Sequence, residues 1–198
     1  MDERPTRLIT VEEFAAMTQD DDWTEELIDG VIHRSPPGYM PHGAACGNLS
    51  FAVEEYRRAT KFGLATIGSG LVVARNPDSV LAPDLQLFSA SRPPDIRKGW
   101  PTVPPVLVAE VVDRVSDYSH VMSKVPYYLA FGVDLVWIVK PAIKCVEIHR
   151  LPDQPMPFDR YQWSIAGYLN GAIRGQHDLL EGGDVLPGFS CKVSDLFE

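Results

Sequence analysis

Asp84, Glu110 and Lys124 are the residues whose types and placement suggest chemistry. Glu110 interrupts the continuous apolar run Val106-Leu-Val-Ala-Glu-Val-Val112, the pattern of a strand buried on both faces. A carboxylate in such a place is normally paired, hydrogen-bonded or metal-bound, because burying it alone and ionised is too unfavourable. Asp84 opens a second short apolar run, Asp84-Leu-Gln-Leu-Phe88, and Lys124 follows Glu110 in a segment of helical character. If the two carboxylates stand at neighbouring strand ends, their hard oxygens suit Mg²⁺ or Mn²⁺. A cation of that class polarises a phosphate and makes a bound water more acidic. A lysine beside it can orient the nucleophile and stabilise charge developing on the phosphate. The alternative is a buried ion pair between Asp84 and Lys124 without a metal, and periodicity alone leaves both readings open.

Other candidates carry weaker signals. His42 could contact phosphate or shuttle a proton, since an imidazole titrates near neutrality, or it could cap a helix. Asp29 is explained by a turn, and Tyr128 and Trp137 read as packing. No His-Glu-x-x-His pair and no Gly-x-Ser-x-Gly elbow occurs, so zinc hydrolysis and serine acyl transfer find no support. Gly68-Ser-Gly70 lacks the Lys-Ser/Thr and the frame of a phosphate loop and reads as a turn.

The elements that must position these residues follow in chain order. Thr10-Val-Glu-Glu13 has the spacing of a capping box and predicts a short helix to about Thr18, ended by Asp20-Asp-Asp22. Trp23 to Arg34 reads as a hairpin turning at Asp29-Gly30, which places Glu26 on a strand. After the break at Pro36-Pro-Gly38, Leu49, Val53 and Tyr56 recur at helical spacing, predicting a helix from about His42 to Thr60 that covers the sheet. Leu64–Ile67 and Leu71–Ala74 read as short strands, and the stretch from Ser89 to Pro105 as a surface loop. Asp117 to Phe131 should be helical and stop at Gly132. Pro126 requires either that Ser123 start the regular helix or that the helix kink. Leu135–Val139 and Cys145–His149 read as strands joined across Pro141, followed by a strand near Tyr161–Ile165 and a closing segment at Val193–Phe197.

Composition bounds the class. The chain of 198 residues, 45% hydrophobic and 23% charged, fits one globular domain spanning 1–198. Its net charge of −9 argues against a broad electrostatic grip on a nucleic-acid backbone. Local basic clusters do occur, Arg57-Arg58 with Lys61 and Arg92 with Arg97-Lys98, each of which also reads as a solvated face. Cys46, Cys145 and Cys191 are isolated in sequence and fit a reducing compartment. With no signal-peptide pattern at the start and no apolar run near the ~20 residues that span a bilayer, a cytoplasmic protein without a membrane partner is expected.

An ordered series of motifs resembles the Uma-two family of restriction-endonuclease domains, within the PD-(D/E)xK nuclease superfamily. It comprises Glu26-Leu-Ile-Asp-Gly30, Pro36-Pro37, His42, Pro83-Asp84, Glu110-Val-Val112, and Lys124 with Tyr128 and Gly132-Val133. Val136-Trp-Ile-Val139, Pro141 and Gly183-Asp-Val-Leu-Pro-Gly-Phe189 complete it. The resemblance implies a restriction-endonuclease-like α/β fold, with a mixed central sheet flanked by helices, and Mg²⁺-dependent hydrolysis of DNA. It implies metal ligation by Asp84, Glu110 and the Val111 carbonyl, with Lys124 as the basic residue. Glu26 could serve a second metal, or face solvent from its strand. In the superfamily pattern the lysine lies two residues after the glutamate, where this chain has Val112; the Uma-two offset instead selects Lys124, fourteen residues on. Asp113-Arg114 stand where the family usually has Ser-Pro, His120 where it has an acid and Lys140 where it has Asp. A nuclease-like scaffold that binds nucleic acid or a protein without cutting is therefore a rival, and a structural homodimer subunit, marked by a large apolar face, is a third reading.

Overall fold

A computed structural model describes residues 7–17, 23–97, 99–151 and 172–198. Helix α1 (Val11–Ala16) starts at the expected capping box: the Glu13 amide donates to Thr10 Oγ1 at 3.2 Å and the Thr10 amide to Glu13 Oε2 at 3.0 Å. Strands β1 (Thr24–Ile28) and β2 (Val31–Ser35) form the hairpin, turning through Asp29 at φ 50° and Gly30 at φ 77°. Helix α2 (Met40–Thr60) follows, then β3 (Gly63–Ile67), β4 (Leu71–Ala74), β5 (Ser79–Leu81) and β6 (Leu85–Ser89). Next come β7 (Leu107–Val111), α3 (Tyr118–Phe131), β8 (Leu135–Lys140) and β9 (Cys145–His149). Strands β10 (Ala172–Gly175), β11 (Leu179–Gly182) and β12 (Leu186–Lys192) lead to a 3₁₀ turn at Val193–Phe197.

The central sheet has six strands in the order β10-β9-β8-β7-β6-β3; β7 and β8 run parallel and the other pairs antiparallel. Helix α3 is the crossover between the parallel pair. A second, four-stranded sheet has the order β2-β1-β5-β4, and β11 pairs with β12. The period of two along the strands divides the core. Leu85, Leu87, Leu107, Ala109, Trp137 and Val139 pack toward Leu49 and Val53 of α2. The alternate residues Phe88, Val108, Val136 and Ile138 pack toward Val121, Val125 and Leu129 of α3. The expected mixed sheet with helices on both faces is what these two clusters build.

Three departures are instructive. Strands β3 and β4, on either side of the Gly68-Ser-Gly70 turn, belong to different sheets, so the chain crosses from one sheet to the other there. It crosses back between β5 and β6, and β5, too short to stand out in the sequence, is held by pairing with β1 and β4. Helix α3 is continuous from Tyr118 to Phe131 with Pro126 inside it, so Ser123 does not start it; a 3₁₀ turn at Val115–Asp117 precedes it and Gly132 ends it at φ 102°. The expected end of α1 at Thr18, the Asp20-Asp-Asp22 stop and the strand at Tyr161–Ile165 lie outside the described residues.

Candidate active site

The two sheet crossings put acidic residues side by side. Glu26 sits on β1, which pairs with β5; Asp84 lies in the link from β5 to β6; Glu110 lies on β7, which pairs with β6. Lys124, on the second turn of α3, reaches down toward them. All four line a cleft of about 410 Å³ together with His42, Val111, Asp113, Arg114 and His120.

Burial makes every charge in this group consequential. Glu26, Glu110 and Lys124 are 4%, 3% and 5% exposed. Lys124 Nζ lies 3.0 Å from Glu26 Oε1 and 2.9 Å from Glu110 Oε1. The Ala82 amide also donates to Glu26 Oε1, at 2.7 Å, and His120 Nε2 lies 3.6 Å from Glu26 Oε2. Burial opposes ionisation of Glu26, yet the Lys124 ammonium, the nearby His120 ring and the Ala82 amide hydrogen bond bring its carboxyl down to about 2. Burial pushes the Glu110 carboxyl up; Lys124 opposes this, Asp84 and Glu26 reinforce it, and the balance stands at about 7. Burial also works against the Lys124 ammonium, but the two carboxylates prevail and raise its pKa.

Asp84 is held differently. The Val111 amide donates to its Oδ2 at 2.7 Å, and His42 Nε2 lies 3.2 Å from its Oδ1. The hydrogen bond with Asp84, then that with Cys46, raises His42 to about 10, so the imidazole is cationic at neutral pH. Cys46 Sγ lies 3.6 Å from His42 Nδ1 and 3.9 Å from Nε2. The donor atoms of His42, Cys46 and Asp84 all fall within 4.8 Å of one another, a grouping able to hold a metal ion.

The structure thus brings Asp84, Glu110, Lys124, Glu26 and Val111 to one cleft and corrects three of the alternatives. Glu26 does not face solvent. Lys124 pairs with Glu26 and Glu110 instead of Asp84, because β1 presents its carboxylate from the second sheet. His42 does not cap α2: it lies inside the first turn and binds Asp84, while Asp113 Oδ1 accepts from the Tyr39 amide at the helix start at 3.0 Å. Lys140 lies apart, paired with Glu147.

Two contributors escape a reading by composition. Tyr128 is buried as expected, but its hydroxyl donates to Glu110 Oε1. Its place four residues after Lys124, on the same helix face, was the available signal. Gly38 matters because a Cβ there would come within 2.6 Å of His42 Nδ1.

The family model Uma2, described as "Putative restriction endonuclease", matches residues 11–194. The chain belongs to the Uma2 family. Among solved structures, this Uma2 chain is similar to "a putative nuclease belonging to DUF820 from Anabaena variabilis ATCC 29413". That similarity has a TM-score of 0.75 at 18% identity and covers 96% of this chain and 97% of the other. At that identity what the two share is the fold. Comparison with curated proteins gives no match.

Proposed function

We propose that this Uma2 chain is a Mg²⁺-dependent endonuclease that hydrolyses phosphodiester bonds in DNA, acting in the cytoplasm as a single domain. The observation that carries this reading is the convergence of Asp84, Glu110, Glu26 and Lys124, from both sheets and a helix, on one open cleft. The donor set fits a hard divalent cation. Glu26, Asp84 and Glu110 are among the carboxylates that line the cleft, and Lys124 does not offset the burial and like charge that hold Glu110 at about 7.

Asp84 through Oδ1, Glu110, and the Val111 carbonyl are the groups that would hold Mg²⁺, or Mn²⁺ in its place. Bound there, the ion supplies charge neutralisation at the phosphate and a more acidic water. The chain's own residues do the rest. The Val111 amide fixes the Asp84 carboxylate by its other oxygen. Lys124 and the Tyr128 hydroxyl fix Glu110 from the helix side. Lys124 donates to Glu26 and Glu110, and its ammonium is placed to turn one donor to a phosphate oxygen as negative charge develops on it.

The test is cleavage of supercoiled plasmid DNA by the full chain with Mg²⁺, comparing wild type with Asp84→Asn and Glu110→Gln. Wild type should nick or linearise the plasmid, and each variant should lose roughly 10²-fold or more in rate, the scale of losing one preorganised site group. Equal residual cleavage in all three proteins overturns the proposal and supports the non-cutting scaffold.

A further inference from the structure

We propose that His42, Cys46 and Asp84 form a second cation site, suited to a borderline-soft divalent ion of the Zn²⁺ class, that shares Asp84 Oδ1 with the hard-ion site. The sharing rests on the nuclease reading; the soft site itself does not.

The geometry begins with α2. His42 and Cys46 are four residues apart and therefore lie on one helix face. The chain crosses from β5 to β6 opposite that face and presents Asp84 to it. His42 Nε2 lies 3.2 Å from Asp84 Oδ1 and 3.9 Å from Cys46 Sγ, and the three donor atoms lie within 4.8 Å of one another. In a tetrahedral zinc site with Zn–N and Zn–O near 2.0–2.1 Å and Zn–S near 2.3 Å, the N···O edge is about 3.3 Å and the N···S edge about 3.6 Å. The observed N···O and N···S edges lie within a few tenths of an ångström of these values, and the S···O edge lies within 4.8 Å, so the Cys46 side chain must move toward Asp84 to close the site.

The surroundings hold the donors in the needed attitudes. The Val111 amide occupies Asp84 Oδ2, which leaves Oδ1 turned to the imidazole. Gly38 has no side chain to meet Nδ1, so the ring can lie against the backbone with Nε2 toward Asp84. His42 and Asp84 side chains are 22% and 23% exposed, so water from the cleft can complete a fourth position.

The donor chemistry selects the ion. A thiolate and an imidazole discriminate against Mg²⁺, which prefers oxygen, and favour Zn²⁺ or its analogues. The ion replaces the proton on the His42 imidazolium and the proton on the Cys46 thiol, so binding releases up to two protons and tightens as pH rises. An ion at this site withdraws Asp84 Oδ1 from the hard-ion site. Zn²⁺ occupancy therefore opposes Mg²⁺ occupancy and suppresses cleavage.

Co²⁺ is the probe, because a thiolate ligand gives it a charge-transfer absorption that neither imidazole nor carboxylate produces. Titrated into the full wild-type chain, Co²⁺ should generate that band with a one-to-one endpoint. Cys46→Ser should abolish the band with its near-ultraviolet circular dichroism unchanged, Cys191→Ser should keep it, and Asp84→Asn should weaken Co²⁺ binding tenfold or more. Millimolar Mg²⁺ should raise the apparent Co²⁺ dissociation constant. A wild type without the band, or a Cys46→Ser variant that retains it, overturns the soft site. A band at Cys46 whose affinity ignores Mg²⁺ overturns the sharing of Asp84 alone. The nuclease reading fails separately, by the plasmid assay, while the cobalt signal stands.

Discussion

Lys124 is the residue on which the two halves of the site depend, since its partners Glu26 and Glu110 come from 98 and 14 residues away in the chain. Breaking a buried pair costs about 3–5 kcal/mol because it leaves an uncompensated buried charge. Lys124→Met keeps the side chain's length and strands two such carboxylates. The metal-free variant should therefore lose stability on that scale in urea unfolding, while Mg²⁺-dependent cleavage drops roughly 10²-fold. Metal affinity should hold or rise, as a nearby positive charge is gone, and added Mn²⁺ should restore more stability to the variant than to wild type. Unchanged unfolding and unchanged cleavage would remove Lys124 from both roles. Adding Glu26→Gln should recover part of the stability, because one of the stranded acids is neutralised. Glu110 was legible in the sequence because it breaks its apolar strand and Asp84 because it opens a second apolar run, whereas Lys124 and Glu26 were picked out only by their places in the Uma-two series of motifs. Their pairing was not legible. Nothing near Lys124 in the chain indicates that Glu26, rather than Asp84, meets its ammonium; that choice is made where two sheets adjoin.

At the scale of elements, site geometry depends on how α3 is seated. The Tyr118 hydroxyl, at the helix start, donates to Glu147 on β9 at 3.0 Å, and the Tyr127 hydroxyl donates to Asp29 at the hairpin turn at 2.8 Å. Around Glu147 lie Lys140 and, at 3.4 Å, the buried His149. Burial lowers the His149 pKa from 6.5, so the unfolded chain takes up a proton that the native ring resists. Its contribution to stability is present above 6.5 and is lost as pH falls through its lowered folded value. Burial opposes ionisation of Glu147, but Lys140 and Tyr118 lower its carboxyl below 4.5, so its contribution is lost further toward acid. Urea midpoints should decline as pH falls from 6.5, and His149→Gln should flatten the part of the decline that begins there. An equally steep decline in that variant would exclude the imidazole as its source. At the other end of α3, Gly132→Ala should cost about 1–2 kcal/mol in the same assay. The nearest neighbour of an added Cβ is Pro104 at 3.5 Å, an ordinary contact, so the cost comes from φ 102° itself. A Gly132→Ala midpoint equal to wild type would contradict this. Local signals made much of this level readable: the capping box, the Asp29-Gly30 turn, the glycine stop and the buried run of β7. Which strands pair is a long-range matter, so the divergence of β3 and β4 and the three-residue β5 had no local mark. Pro126 left the start of α3 open in the sequence, and packing of α3 on the sheet outweighs the one missing helical hydrogen bond.

For the whole molecule, the question is how a chain of net charge −9 would engage a polyanion. Two basic clusters noted in the sequence are internally compensated in part: Arg57 and Arg58 both pair with Glu54 at 2.6 Å, and Arg92 pairs with Asp134. At the cleft the situation differs. Arg114 has a longer contact, 3.5 Å from its Nε to Asp113, and its guanidinium lies 4.6 Å above the Tyr39 ring. It thus lies at the rim of the cleft, stacked on Tyr39, where the family usually has proline. If Arg114 neutralises one phosphate, its removal should lower the slope of log K against log salt by about 0.9 for duplex DNA. The measurement is fluorescence anisotropy with a short duplex over a series of KCl concentrations, in a Glu110→Gln background so that the substrate stays intact. Arg114→Ala should bind more weakly and show the reduced slope, whereas Arg58→Ala, exposed at the far end of α2 and tied to Glu54, should leave it unchanged. Identical slopes for Arg114→Ala and its parent would show that the phosphate backbone does not pass this rim of the cleft. A drop for Arg58→Ala instead would move the DNA track to the end of α2.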